Sequence, residues 1–139
     1  MSDFEVTAEY DASDDATEQE RALKIAQTAF GPLSLATAAV LVKLGGAYRS
    51  AGRLVEAQRA YVRALEITEE TLGPEHFQIA DIYHRLAELE LARGRFVTGE
   101  PYARRSLELC RQNGEASEGE LTAKMQLLAA LLAAQGRSV

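Results

Sequence analysis

The chain has 139 residues, a mass of 15.1 kDa and a net charge of −6, which suits one domain rather than two ordinary ones. Trp is absent and aromatic residues make up only 6% of the sequence, so a sandwich or barrel of short strands is not expected. The single cysteine excludes an internal disulfide framework and a zinc site that needs a pair of cysteines. The acidic balance argues against non-specific nucleic-acid binding, which requires a basic surface.

The first residues of the chain carry the acidic excess. Residues 1–20 contain eight Asp or Glu and no Lys or Arg, and we expect residues 1–14 to form a flexible acidic tail. The tail either keeps the protein in solution or folds back onto a basic surface of its own domain. It lacks the basic start and apolar run of a secretion signal, and the chain has no apolar stretch of about 18 residues that could span a membrane. We therefore expect a cytoplasmic protein that has no membrane partner.

The rest of the sequence repeats with a period of 42 residues. Gly52-Arg53, Gly94-Arg95 and Gly136-Arg137 recur at this spacing, and so do Gly31-Pro32 and Gly73-Pro74. A fixed period of this length predicts stacked copies of one supersecondary unit.

Six amphipathic helices are predicted in chain order. The apolar spacing favours helices at 15–30, 35–49, 54–72, 76–93, 96–113 and 118–135. Ser34 is expected to cap the second of them, and Gly52 and Gly73-Pro74 to end the second and third. Pro101 fits the fifth if that helix begins near 97 or 98, since proline is tolerated in a first turn.

These helices give an all-α domain at residues 15–139. It consists of a half repeat at 15–30, full repeats at 31–72 and 73–114, and a half repeat at 115–137. Because the connections are short, neighbouring helices should be antiparallel. Repeats of this kind share one continuous core, since a single unit cannot bury its own apolar face.

The residues that recur resemble a known repeat family. The run Leu41-x2-Leu44-Gly45-x2-Tyr48-x8-Ala57-x3-Tyr61-x2-Ala64 resembles the signature of tetratricopeptide repeats. The long period and the loop Leu72-Gly73-Pro74-Glu75-His76 are similar to the kinesin light chain type of that family, although Glu90 replaces the aromatic residue expected in the second unit. The resemblance implies an α–α superhelix that binds protein partners.

The resemblance also implies that the first helix of each unit lines a concave groove. The residues expected to face it are Ala39, Val42, Lys43, Gly46 and Arg49 from the first unit, Asp81, His84, Arg85, Glu88 and Leu91 from the second, and Ala123, Gln126, Leu127 and Ala130 from the last half unit. Lys and Arg beside small apolar residues suit an extended or helical peptide of some acidic character. The alternative is a solvated helix face with no ligand.

The last helix is apolar all round between Leu127 and Ala134, which is unusual for a terminal helix of a solenoid. Self-association of two copies through this helix is one interpretation, and it would use Leu127, Leu128, Leu131 and Leu132. Another protein, or further residues of a longer chain, are two other possible covers. In the remaining interpretation, the leucines are buried on one side and small alanines are exposed on the other.

No catalytic, cofactor or metal site is predicted. His76 and His84 are eight residues apart, about 12 Å along a helix, which is too far to share one metal. Cys110 is expected to be a small buried residue, and no phosphate loop or hydrolase motif occurs.

The sequence therefore favours a non-catalytic interaction scaffold that docks a peptide segment or a partner protein. One alternative is a dimeric structural adaptor that assembles through its last helix. Another is a small regulatory subunit that acts on a partner enzyme through the acidic tail and the groove.

Overall fold

The computed structural model describes residues 12–137, which form six α-helices and contain no strand. The helices are α1 (Ala12–Phe30), α2 (Leu35–Ser50), α3 (Leu54–Leu72), α4 (Gln78–Ala92), α5 (Phe96–Gln112) and α6 (Glu118–Ala134). The prediction of an all-α fold is confirmed for these residues. Because α1 begins at Ala12, the last three residues of the predicted tail are helical, and its remainder, residues 1–11, lies outside the described residues.

The glycine–arginine pairs form three equivalent corners. Gly52, Gly94 and Gly136 have φ angles of 77°, 73° and 73°, a left-handed conformation that residues with a Cβ adopt only at a cost. In every corner the N–H of the following arginine donates to the carbonyl oxygen five residues earlier, at 2.8 Å. The repeat seen in the sequence is therefore a repeat of backbone geometry.

Two serines are the N-caps of helices that open a repeat: Ser34 caps α2 and Ser117 caps α6. The Ser34 Oγ accepts a hydrogen bond from the Thr37 N–H at 3.1 Å, and the Thr37 hydroxyl donates to the Gly31 carbonyl at 2.7 Å. Ser117 accepts in the same way from the Glu120 N–H at 3.1 Å. The predicted cap at Ser34 is confirmed, and these bonds satisfy N–H groups that have no partner inside the helix.

The core runs along the stack of helices as neighbouring buried clusters, and Tyr102 packs against two of them. Leu44, Tyr61 and Leu86 from α2, α3 and α4 belong to one buried cluster, and Ala103 and Leu131 belong to a second between α5 and α6. Gly45 allows α2 and α3 to come close together. A Cβ at that position would lie 2.5 Å from the Tyr61 ring.

Pro101 differs from its expected placement. The helix α5 begins at Phe96, so Pro101 is the sixth helical residue and not part of the first turn. Its ring removes the N–H that would otherwise bond the carbonyl of Val97. Both residues are exposed, so water can satisfy that carbonyl.

Candidate functional site

Two adjoining clefts lie on the side of the molecule formed by the first helices, α2, α4 and α6. The first cleft, of about 350 Å³, is lined by α2 and α4 and by Thr68 of α3. The second, of about 420 Å³, is lined mainly by α4 and α6, together with Cys110 and Asn113. Gln78 and Asp81 line both clefts. We call the combined surface the first-helix groove.

Most charges in this groove are paired within the chain. Arg85 Nε donates to Asp81 Oδ2 at 2.9 Å, four residues away on the same helix. Arg49 of α2 lies 3.5 Å from Glu88 of α4, an ion pair that joins the two helices. Lys43 is exposed in the first cleft and has no ion-pair partner within residues 12–137. It is therefore the cation in the first cleft that is free to meet a ligand.

His84 lies beside the Arg49–Glu88 pair. Its side chain is 16% exposed, and its Nε2 is 3.7 Å from Glu88 Oε2. The Nδ1 atom is buried without a hydrogen-bond partner in the described residues. Burial, and next the positive charge of Lys124, lower the pKa of His84 below its usual value, although Glu88 and Asp81 oppose the shift. The lowered pKa favours the neutral ring over the charged one.

The structure brings the predicted groove residues of α2 and α4 to one side of the molecule. Five of them line the first cleft, namely Ala39, Val42, Lys43, Asp81 and Arg85. Arg49, His84 and Glu88 form the adjoining ionic cluster, and Leu91 is half-buried against the second core cluster. Gly46 is half-buried, and a Cβ there would be 3.8 Å from the Tyr61 hydroxyl. In α6, Leu127 is buried rather than facing the groove.

Two apolar residues of the groove were missed by the sequence interpretation. Leu35 and Phe77 are 39% and 52% exposed and line the first and second cleft respectively. They stand one repeat apart, at or beside the start of α2 and α4. Their shared repeat position was a signal that could have identified them.

The leucines assigned to self-association are not exposed. Leu127, Leu128, Leu131 and Leu132 are buried within the chain, in a cluster with Ala103 and Leu107 of α5. The expectation that these side chains lack a cover is therefore wrong, and the interpretation with buried leucines and exposed alanines describes them correctly. Leu128, although buried, also lines the open cleft between α5 and α6. The exposed side of α6 carries small residues instead, Ala129, Ala130, Ala133 and Ala134.

Within residues 12–137, no group of three or more His, Cys, Asp or Glu is placed to hold a metal ion, and Cys110 is 5% exposed. No helix in that part of the chain has the length and apolar content needed to cross a membrane.

Comparison with protein families agrees with this geometry. A family model described as tetratricopeptide repeat matches residues 17–70 and again 37–112. The chain belongs to the tetratricopeptide repeat family. Repeats of this kind form a non-catalytic scaffold that in general mediates contacts with protein partners.

A solved structure shows the same fold. The crystal structure of BtubC (BKLC) from P. vanneervenii matches with a TM-score of 0.84 at 21% sequence identity, over 90% of this chain. The match shows that the two chains share a fold. The chain spans 50% of the length of that protein. A search of curated proteins gives no match.

Proposed function

We propose that this protein is a non-catalytic scaffold that docks a peptide segment of a partner in the first-helix groove. The observation that carries the proposal is the first cleft, where the exposed Leu35 and the unpaired Lys43 lie on one apolar-lined surface. A cleft that is already formed by packed helices loses less conformational entropy on binding than a flexible segment does.

The lining of the first cleft indicates the chemistry of the peptide. Ala38, Val42 and Ile82 give the cleft an apolar floor, which suits an aliphatic or aromatic side chain of the partner. Lys43 is placed to pair with a carboxylate next to that side chain. Arg49 and Arg85 contribute less to the preference for an acidic peptide. A carboxylate of the partner would first have to displace Glu88 from Arg49 or Asp81 from Arg85.

The second cleft offers a further contact one repeat along. Phe77 is exposed there, beside a surface that also carries Glu120 and Lys124. A peptide that crosses both clefts can place a second apolar residue against Phe77. Two modest contacts on one segment then reinforce each other, since the second one forms within the same complex.

Selection of peptides from a random displayed library tests this function. We expect the recovered peptides to carry an acidic residue next to an apolar one, and to bind Lys43→Glu at least about tenfold more weakly, a loss of about 1.4 kcal/mol. Fluorescence polarisation with labelled copies of the peptides measures the loss. Arg63→Glu is the matched control, because Arg63 is an exposed cation of α3 that lines neither cleft.

Two outcomes would contradict groove docking. Peptides that bind the Lys43 and Arg63 variants equally well would show that they dock elsewhere. Peptides whose binding depends on residues 1–11 and not on Lys43 would favour a regulatory role of the acidic segment instead.

A further inference from the structure

The two ends of the helix stack expose surfaces that are buried in the middle of it. At one end, Ile25 of α1 is 69% exposed. The residues one and two repeats later, Ile67 and Leu109, are each 1% exposed. Ile67 and Leu109 are buried because α3 and α5 are each preceded in the stack by a first helix, which covers them. Ile25 is exposed because no helix of the described residues precedes α1.

At the other end, α6 and α5 border an open cleft of about 530 Å³. Its lining includes Leu107, Thr122 and Met125, the last of them 44% exposed. One repeat earlier, the same positions are Leu65, Ala80 and Tyr83. Those three residues pack around Leu109. The cleft is therefore the repeat equivalent of the site that Leu109 fills between α3 and α4.

These two surfaces are repeat equivalents of two surfaces that pack against each other inside the chain, so their shapes are expected to match. Ile25 stands two repeats before Leu109, so α1 carries the side chain that this site receives. We propose that α1 of a second copy of this chain packs into the α5–α6 cleft, with its Ile25 against Leu107, Thr122 and Met125. Two copies then stack head to tail, and the order of second and first helices continues without a break across the junction.

Charge complementarity supports the same occupant. The cleft carries Arg104 and Arg111, and Arg111 has no ion-pair partner among the described residues. Glu18 of α1 is exposed and stands two repeats before Tyr102. The Tyr102 ring lies 6.0 Å from that of Tyr83, whose repeat equivalent is Met125. In the proposed contact, Glu18 of the second copy therefore lies beside Met125. Its carboxylate then faces the cleft that carries the exposed Arg104 and Arg111, so the charges of the two surfaces are complementary.

The proposed contact joins two different surfaces, so it is heterologous and can continue beyond a dimer. This separates it from a symmetric pair of α6 helices. It also lies away from the first-helix groove, and its failure would leave peptide docking untouched.

Single substitutions and their mixture test the proposal on the full chain. Analytical ultracentrifugation over a concentration series should show that the natural chain exceeds its monomer mass of 15.1 kDa. Ile25→Glu removes one surface and Met125→Glu the other, and each variant alone should remain monomeric. An equal mixture of the two should form a species of twice the monomer mass, because one intact contact can still form.

Val97→Glu is the matched control, since Val97 is 74% exposed on α5 and belongs to neither surface. It should associate as the natural chain does. Circular dichroism should give every variant the same helix content, because all three positions are exposed. Three results would overturn the proposal: a natural chain that stays monomeric, an Ile25→Glu variant that still associates, or a mixture that remains monomeric.

Discussion

The two full repeats share their corners but fill the space behind them differently. In repeat 31–72, Tyr48 is buried at the end of α2, its hydroxyl donates to Glu20 Oε2 at 2.5 Å, and Arg53 stacks on its ring at 4.6 Å. In repeat 73–114, the same position is Glu90. Its side chain is completely buried, with Arg93 Nη1 3.1 Å from Oε1 and Arg95 Nε 3.3 Å from Oε2.

A corner arginine can therefore contact two kinds of neighbour. Arg53 and Arg95 are equivalent residues, and each packs on whatever stands at the end of the preceding helix, an aromatic face in one repeat and a carboxylate in the other. A guanidinium group suits both because it is flat and always charged. At this position the first repeat thus has a buried aromatic ring that packs on Arg53, and the second has a buried carboxylate that is ion-paired with Arg93 and Arg95.

The largest expected effect is in the second repeat. Glu90→Ala removes a buried carboxylate, leaves a cavity and takes the ion-pair partner away from both Arg93 and Arg95. We expect it to lower the free energy of unfolding by about 3 kcal/mol. Urea denaturation followed by circular dichroism measures the change.

Glu90→Gln is the control that keeps the volume and removes the charge. We expect it to cost about 1–2 kcal/mol, because the arginines keep an acceptor but lose their counter-charge. A Glu90→Ala variant as stable as the natural chain would show that the second repeat does not depend on this ion pair.

An intermediate effect is expected where the first repeat packs most tightly. Gly45→Ala places a Cβ 2.5 Å from the buried Tyr61 ring, and this overpacking should cost about 1–3 kcal/mol. In the second repeat, Ala87 occupies the position of Gly45, and Ala103 occupies the position of Tyr61. The smaller Ala103 side chain leaves room for the Cβ of Ala87.

Gly46→Ala is the neighbouring control for that substitution. The nearest atom to its Cβ is the Tyr61 hydroxyl at 3.8 Å, so the helix should gain about 0.5–1 kcal/mol from the loss of a glycine. Thermal melting of the two variants should therefore shift in opposite directions. A Gly45→Ala variant that melts as high as Gly46→Ala would contradict the close approach of α2 and α3.

The smallest effect concerns the Tyr48 hydroxyl. Burial, then the hydrogen bond to Glu20, raises the pKa of Tyr48 from 10.0 to about 12. Tyr48→Phe should cost about 1 kcal/mol at neutral pH through loss of that bond. Because the raised pKa favours the neutral hydroxyl, its contribution is complete below about pH 10 and is lost as the pH rises towards 12.

The measurement is the difference in unfolding free energy between the natural chain and Tyr48→Phe at several pH values. The difference should shrink between pH 10 and pH 12. A difference that stays constant over this range would show that Tyr48 does not titrate with a raised pKa.

Much of the fold could be predicted because it depends on local sequence. Each of its signals lies within a few residues of sequence: the glycine corners, the Ser34 cap and the apolar spacing. Because the sequence repeats, a signal recognised in one unit predicts the same feature in the next. Pro101 was misplaced because helix ends are weakly specified by sequence. For the last helix the sequence left several interpretations open, and the burial of Leu128 and Leu132 agrees with the one in which the leucines are buried and small alanines are exposed.

The groove was harder to predict than the fold. Its residues on α2 and α4 were implied by the resemblance to the repeat family, but the net charge that they present depends on which of them form ion pairs with one another. The Asp81–Arg85 pair has the spacing of one helix turn and could have been recognised. The Arg49–Glu88 pair joins two helices, so it depends on their relative position, which no local pattern states. Lys43 became the important cation only once these partners were known.

The three corners also bear on how such a chain changes length. Because Gly52, Gly94 and Gly136 have nearly the same φ and are followed by the same 2.8 Å hydrogen bond, the backbone leaves each of them in the same direction. A duplication or deletion that begins at one corner and ends at the next joins two compatible backbones. Genetic gain or loss of one 42-residue segment would lengthen or shorten the stack by a whole hairpin, without requiring a new turn.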